Sequence, residues 1–120
     1  MVFDFFESIA SFNYPALRDH CTEDFYLFED GQKMNLNQFI NLVKSFEHQA
    51  TIHYELEDIR TEIAGSLAWM TLRTKALMNL NGQGTNLEWL ESAVLKKQQD
   101  LWRIAFYHSS VVKGKEPSKS

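Results

Sequence analysis

The sequence predicts an α+β fold, with N-terminal helices packed in a strongly curved antiparallel sheet, a cone-shaped α+β barrel. Three observations predict it. Apolar residues in the first third recur at helical spacing. From about residue 51 onward they alternate as in long strands. The joins between those strands are only two to four residues of turn-forming type, which makes neighbouring strands antiparallel hairpins. Helices followed by a run of strands is the α+β arrangement.

Each element has its own signal. Phe5, Ile9 and Phe12 lie at i, i+4 and i+7, with Phe6 widening the stripe, so a first helix is expected there. Pro15 suits the first turn of a short second helix running to about Cys21. Residues 24–29 are aromatic-rich and end at Asp30-Gly31, a turn dipeptide, so a short strand is expected. Asn35 or Asn37 can cap a third helix, whose stripe is Leu36, Phe39, Ile40, Val43 and Phe46. Strands are expected at about 51–63, 67–80, 85–97 and 100–112. Their joins are Ala64-Gly65-Ser66, Asn81-Gly82-Gln83-Gly84 and Gln98-Gln99.

The chain has 120 residues, 44% of them apolar, which suits one domain, taken as residues 1–112. Residues 113–120 form a polar stretch expected to be a flexible tail. Sixteen acidic residues against twelve basic give a net charge of −4, which argues against a duplex nucleic-acid binder. One cysteine excludes an internal disulfide framework and a zinc site built on paired cysteines. His48 and His53 match no metal-ligand spacing. No apolar run reaches the roughly 18 residues of a membrane span. The first residues carry acids and lack a basic leader region. A cytoplasmic protein with no metal, cofactor or membrane partner is the expectation.

Pairing register follows from the turns. With Gln98-Gln99 as a two-residue turn, Leu95 faces Trp102, Ala93 faces Ile104, Glu91 faces Phe106 and Trp89 faces His108. The Asn81–Gly84 turn sets Met70, Leu72, Thr74 and Ala76 opposite Leu95, Ala93, Glu91 and Trp89. All these side chains share one face of the sheet. In the first long strand, Ile52, Tyr54 and Leu56 differ in parity from Ile59, Thr61 and Ile63. A β-bulge near Glu57-Asp58 would place all six on that face.

That face is mainly apolar and should receive the helices. Toward one end it also holds Tyr54, Thr74, Glu91 and His108, which a plain core would not select. A sheet half filled by helices and half lined by polar groups describes a pocket. Glu91 and His108 come out as diagonal neighbours, and a carboxylate beside an imidazole can orient the ring and move a proton. Tyr54 and Trp89 would wall a small planar or apolar ligand, and Tyr14 would edge the mouth. The opposite face carries Trp69, Leu90, Val94 and Tyr107, large apolar groups that mark a subunit interface, hence a homodimer.

The closing run Trp102-Arg103-Ile104-Ala105-Phe106-Tyr107-His108-Ser109-Ser110 resembles the W-x-I-x-x-x-H-x-S ending of SnoaL-like domains, in the nuclear transport factor two-like (cystatin-like cone) superfamily. Glu91-Ser92-Ala93-Val94-Leu95 resembles the strand before that family's last hairpin, and Gly65-Ser66-Leu67-Ala68-Trp69 its G-D-x-A turn. Asp24-Phe25 and Gly31 fit the segment before its third helix. The resemblance spans residues 3–112. It implies three helices in a curved sheet with an open mouth, and homodimers through the convex face. The superfamily includes ketosteroid isomerase, scytalone dehydratase, polyketide cyclases and a kinase association domain. This sequence departs from the enzymes: no aspartate occupies the strand positions of their general base, Asp58 being the nearest. Two functions stay open. One is a small-molecule-binding domain with a semi-apolar pocket in the cone mouth. The other is a cofactor-free isomerase, dehydratase or cyclase-like enzyme using His108 and Glu91.

Overall fold

A computed structural model describes residues 2–112. It contains α1 (Val2–Ala10), α2 (Tyr14–Asp19), β1 (Cys21–Glu29), β2 (Gln32–Asn35), α3 (Leu36–Lys44), β3 (Ala50–Ala64), β4 (Leu67–Leu80), β5 (Gln83–Gln98) and β6 (Leu101–Val111). The six strands form one curved, unclosed sheet in the order β2-β1-β6-β5-β4-β3. The architecture is the expected α+β class. The proposed flexible tail, residues 113–120, lies outside the described residues.

The helices form where their apolar faces and caps agree. Phe5, Phe6 and Ile9 of α1 are buried against the sheet. Phe12, expected on the same helix, follows its end at a positive φ of 57°. Pro15 sits in the first turn of α2, and Leu17 of that helix is fully buried. Asn35 is the cap of α3: its side chain accepts from the Gln38 N–H at 2.8 Å, and the Gln38 side chain accepts from the Asn35 N–H at 2.9 Å. This reciprocal box satisfies two otherwise orphaned donors. Ile40 and Val43 then point into the core.

Two features of the sheet differ from expectation. Residues 32–35 form a strand, hairpinned to β1 around Asp30-Gly31, and their short polar sequence gave no strand period. The first strand also pairs in parallel with β6, where an antiparallel meander was expected, because α3 and the long hairpins carry the chain around the sheet before β6 returns.

The long hairpins close on turns that differ from those assigned, the first tighter by two residues and the second displaced by one residue. Asn81-Gly82 alone, both at positive φ, joins β4 to β5, and Gln99-Asp100 joins β5 to β6. Each shift slides its ladder by two residues without changing faces. Met70 therefore pairs with Ala93, Leu72 with Glu91 and Thr74 with Trp89.

Two bulges interrupt the antiparallel ladders of the long strands. In β3 the register shifts between Glu57 and Arg60, with Asp58 at φ 55°, which is the bulge the sequence predicts. A second bulge, at Ala105 in β6, was not anticipated. Leu95 pairs with Ile104 but Val94 with Phe106, so the rest of β6 changes phase. The core sits between α1, α2, α3 and the concave sheet face, around Phe5, Leu17, Phe25, Leu72 and Ile104. Each fully buried side chain of this size contributes on the order of 1.5–3 kcal/mol.

Candidate functional site

The Ala105 bulge decides which side chains meet Glu91. Past it, Tyr107 pairs with Ala93 and Ser109 with Glu91, so Tyr107 and Ser109 face inward. His108 pairs with Ser92 and is exposed on the convex face. This corrects the expected pairing: Glu91 and His108 lie on opposite sides of the sheet. It also corrects the interface set, because Tyr107 is only 4% exposed and belongs to the core.

Glu91 is 8% exposed and held by three hydroxyls. Its Oε1 accepts from Thr74 Oγ1 at 2.5 Å and from the Tyr107 hydroxyl at 2.7 Å. Its Oε2 accepts from Ser109 Oγ at 2.5 Å. Thr74 is fully buried, one strand away and diagonal to Glu91, and its β-branched side chain fixes the hydroxyl toward the carboxylate. Burial pushes the Glu91 carboxyl above its ordinary range, while the bonds from Ser109, Thr74 and Tyr107 favour its ionised form.

A second carboxyl stands in the same row. Glu29 of β1 pairs with Ser109 of β6, which pairs with Glu91 of β5. Glu29 and Glu91 are thus two strand spacings apart, roughly 10 Å at the backbone. The Glu29 carboxyl is raised by burial, then by Asp30 and by Glu91. Tyr54 is raised by burial and by the same two glutamates, so its hydroxyl stays neutral.

These groups line a cavity of about 70 Å³ with walls of Phe5, Phe6, Ile9, Leu27, Phe39, Tyr54, Trp89 and Tyr107. The Phe6 and Tyr54 rings lie 4.8 Å apart, and those of Phe5 and Tyr107 5.5 Å apart. No Lys, Arg or His occurs among the described residues lining it. The volume is small against the ~300–1,000 Å³ of sites for drug-sized ligands. It suits a ligand of a few heavy atoms, or the tip of a larger one.

Of the expected pocket residues, Tyr54 and Trp89 line this cavity, and Thr74 lies beneath the carboxylate. Tyr14 does not reach it. Its hydroxyl donates to Glu47 Oε1 at 2.5 Å, beyond the end of α3, and Lys44 Nζ sits 5.1 Å above its ring. Burial, then Glu47, raises the Tyr14 hydroxyl to about 12. Asp58 is exposed on its bulge, 3.5 Å from Arg73 Nε. Glu29, Tyr107 and Ser109 were missed. Their signal was present: a carboxylate on an apolar strand face needs donors, and the neighbouring strand supplies hydroxyls at alternate positions 107 and 109.

On the convex face, Trp69 and Leu90 are 51% and 52% exposed, with Val94 beside them. Arg73 bonds to Glu88, and Lys75 Nζ lies 3.3 Å from Glu57. Toward β1, the Tyr26 and Phe28 rings pack on Phe106, with His108 at the edge of Phe28.

Comparison with known proteins gives the family. The profile of the SnoaL-like domain matches residues 1–113. A ketosteroid isomerase-like protein from Erwinia carotovora atroseptica is 17% identical, with a TM-score of 0.74 over 93% of this chain and 91% of that one. The CamKII hub homology domain of Chlamydamonas reinhardtii is 18% identical, with a TM-score of 0.78 over 91% and 90%. A nuclear transport factor two-like protein from Cytophaga hutchinsonii is 10% identical, with a TM-score of 0.79 over 91% and 90%. At such identities the likeness is one of fold. No curated protein matches the chain. Among the described residues no helix is long and apolar enough to cross a membrane.

Proposed function

We propose, from the premise that the chain belongs to the SnoaL-like domain family, that it is a small-molecule-binding domain whose ligand enters the aromatic cavity and reaches Glu91. One observation carries this reading. A buried carboxylate costs several kcal/mol of desolvation, and no cation among the described cavity residues offsets it. Three hydroxyls hold it instead, at the end of an apolar cavity. A core built only for stability would place an apolar side chain there.

The carboxylate retains acceptor capacity. Oε1 takes two hydrogen bonds and Oε2 one, so Oε2 can accept once more, from a ligand N–H or O–H. The rings of Trp89 and Tyr54 wall the space above it. Acid–base catalysis by Glu91 with His108 is not carried forward, because the sheet separates the two groups. The exposed Trp69, Leu90 and Val94 support a homodimer that joins convex faces.

Trp89 gives the test. Of the three tryptophans it alone lines the cavity, so replacing Trp69 and Trp102 by Phe leaves a single reporter. Small planar and apolar compounds should shift or quench its emission saturably, and Ser109→Phe, which fills the space without adding a second tryptophan, should abolish the response. Emission that ignores every such compound while quenching normally with acrylamide would overturn the proposal.

A further inference from the structure

We propose that the cavity selects a small organic cation, a primary ammonium group seated between Glu29 and Glu91. This deepens the binding reading above and rests on it. The argument starts from the row Glu29, Ser109, Glu91 across three adjacent strands of one face. Both carboxyls line one cavity, with the Ser109 hydroxyl between them. Two negative groups in one small volume repel, and a cation between them removes that repulsion.

A second, independent feature points the same way. The Tyr54 side chain is half-buried at this cavity, and its hydroxyl makes no hydrogen bond to another described residue. Its oxygen can accept from an ammonium N–H. The remaining walls are the faces and edges of Phe5, Phe6, Phe39, Trp89 and Tyr107. Aromatic rings attract a desolvated cation through their quadrupoles and favour it over a neutral isostere. An anion would meet two carboxyls and no cation among the described cavity residues, so the same walls reject carboxylate ligands.

The size of the space fixes the head group. About 70 Å³ admits an ammonium with one or two methylenes, and a longer chain would extend past Tyr54 toward the mouth. A quaternary ammonium would forfeit the hydrogen bonds that both glutamates and Tyr54 offer, and a tertiary one, with a single N–H, could make only one of them.

Three isosteric probes test this: propylammonium, 1-propanol and propionate, added to the nitrogen-15-labelled protein at equal ionic strength. The readout is the amide shifts of Tyr54, Glu91 and Ser109. Propylammonium should bind at least about tenfold more tightly than 1-propanol, and propionate should leave the three amides unmoved. Glu29→Gln, at the half-buried position, should bring the ammonium and the alcohol to similar affinity without unfolding the chain. Glu91→Gln should do the same if it folds. Equal or tighter binding of 1-propanol or propionate to the unmodified protein would overturn the cation assignment and leave the cavity as a binding site. Failure of all three probes to move these amides in the folded protein would overturn the binding reading, and this inference with it.

Discussion

Replacing Thr74 by valine removes one hydroxyl from the Glu91 clasp and almost nothing else. Thr74 is fully buried, and valine matches its shape with a methyl in place of Oγ1. The lost bond is a 2.5 Å hydroxyl–carboxylate contact. Hydrogen bonds to charged groups are worth about 1.5–3 kcal/mol, neutral ones about 0.5–1.5. At pH 8 the substitution should therefore cost about 1.5–3 kcal/mol, or about 6–12 °C in Tm for a chain of this length. In a Glu91→Gln background the same change should cost about 0.5–1.5 kcal/mol, leaving a coupling energy of roughly 1 kcal/mol. The dependence on pH has a definite sign. Thr74 favours the ionised form of Glu91, so its removal raises that carboxyl further. The cost should be smallest at low pH, where Glu91 is protonated with or without Thr74, and should grow as pH rises. Urea denaturation of the four proteins at pH 5 and pH 8 measures all of this. A loss under 0.5 kcal/mol at pH 8, or an equal loss in both backgrounds, would refute the idea that Thr74 steadies a charged group.

Other expectations are open to simple assays. The folded carboxyls of Glu91 and Glu29 are both raised, so their contribution is fully present below the ordinary glutamate value and is lost as pH rises through the folded values. Wild-type stability should fall across that window and Glu91→Gln should flatten the fall; parallel curves in a urea titration would count against it. Trp69→Glu should yield monomers by light scattering, since Trp69 and Leu90 are the exposed centre of the convex face; a mutant that stays dimeric would sink that placement. Burial raises the Cys21 thiol to about 12, so an aromatic disulfide reagent at pH 8 should label the native chain far more slowly than the urea-unfolded one. Leu17→Ala, at a fully buried position of α2, should cost about 2–5 kcal/mol in chemical denaturation.

Much of the fold was legible because its signals are local. Helical spacing in Phe5, Phe6 and Ile9, the Asn35 cap, the Asn81-Gly82 turn and the alternation through β4 each depend on neighbours in sequence. The β3 bulge was legible too, because the apolar residues on either side of Asp58 are out of phase. The site was only partly legible. Glu91 stood out as an acid on an apolar face, and Tyr54, Thr74 and Trp89 share its parity. Its partners on β6 were hidden, because in Ala105-Phe106-Tyr107 either phase places an aromatic ring inward, and apolar pattern alone cannot choose. Glu29 was hidden for a different reason: it joins the site through a parallel pairing of residues some 80 positions apart, which no turn signals. The turn before β6 was misplaced by one residue, although Asp100 tolerates the left-handed conformation better than Gln98.

The re-phasing at Ala105 has a genetic consequence. Deleting that one codon would straighten β6 yet leave Phe106 opposite Val94, Tyr107 opposite Ala93 and Ser109 opposite Glu91, so the cavity would keep its chemistry. Inserting one codon after it, with the bulge still absorbing a single residue, would bring His108 opposite Glu91 and Phe106 opposite Ala93. The hydroxyl clasp would become a carboxylate–imidazole couple in one mutational step, with no substitution anywhere. A chain of this design keeps two different linings encoded in the same stretch of sequence, and strand length selects between them.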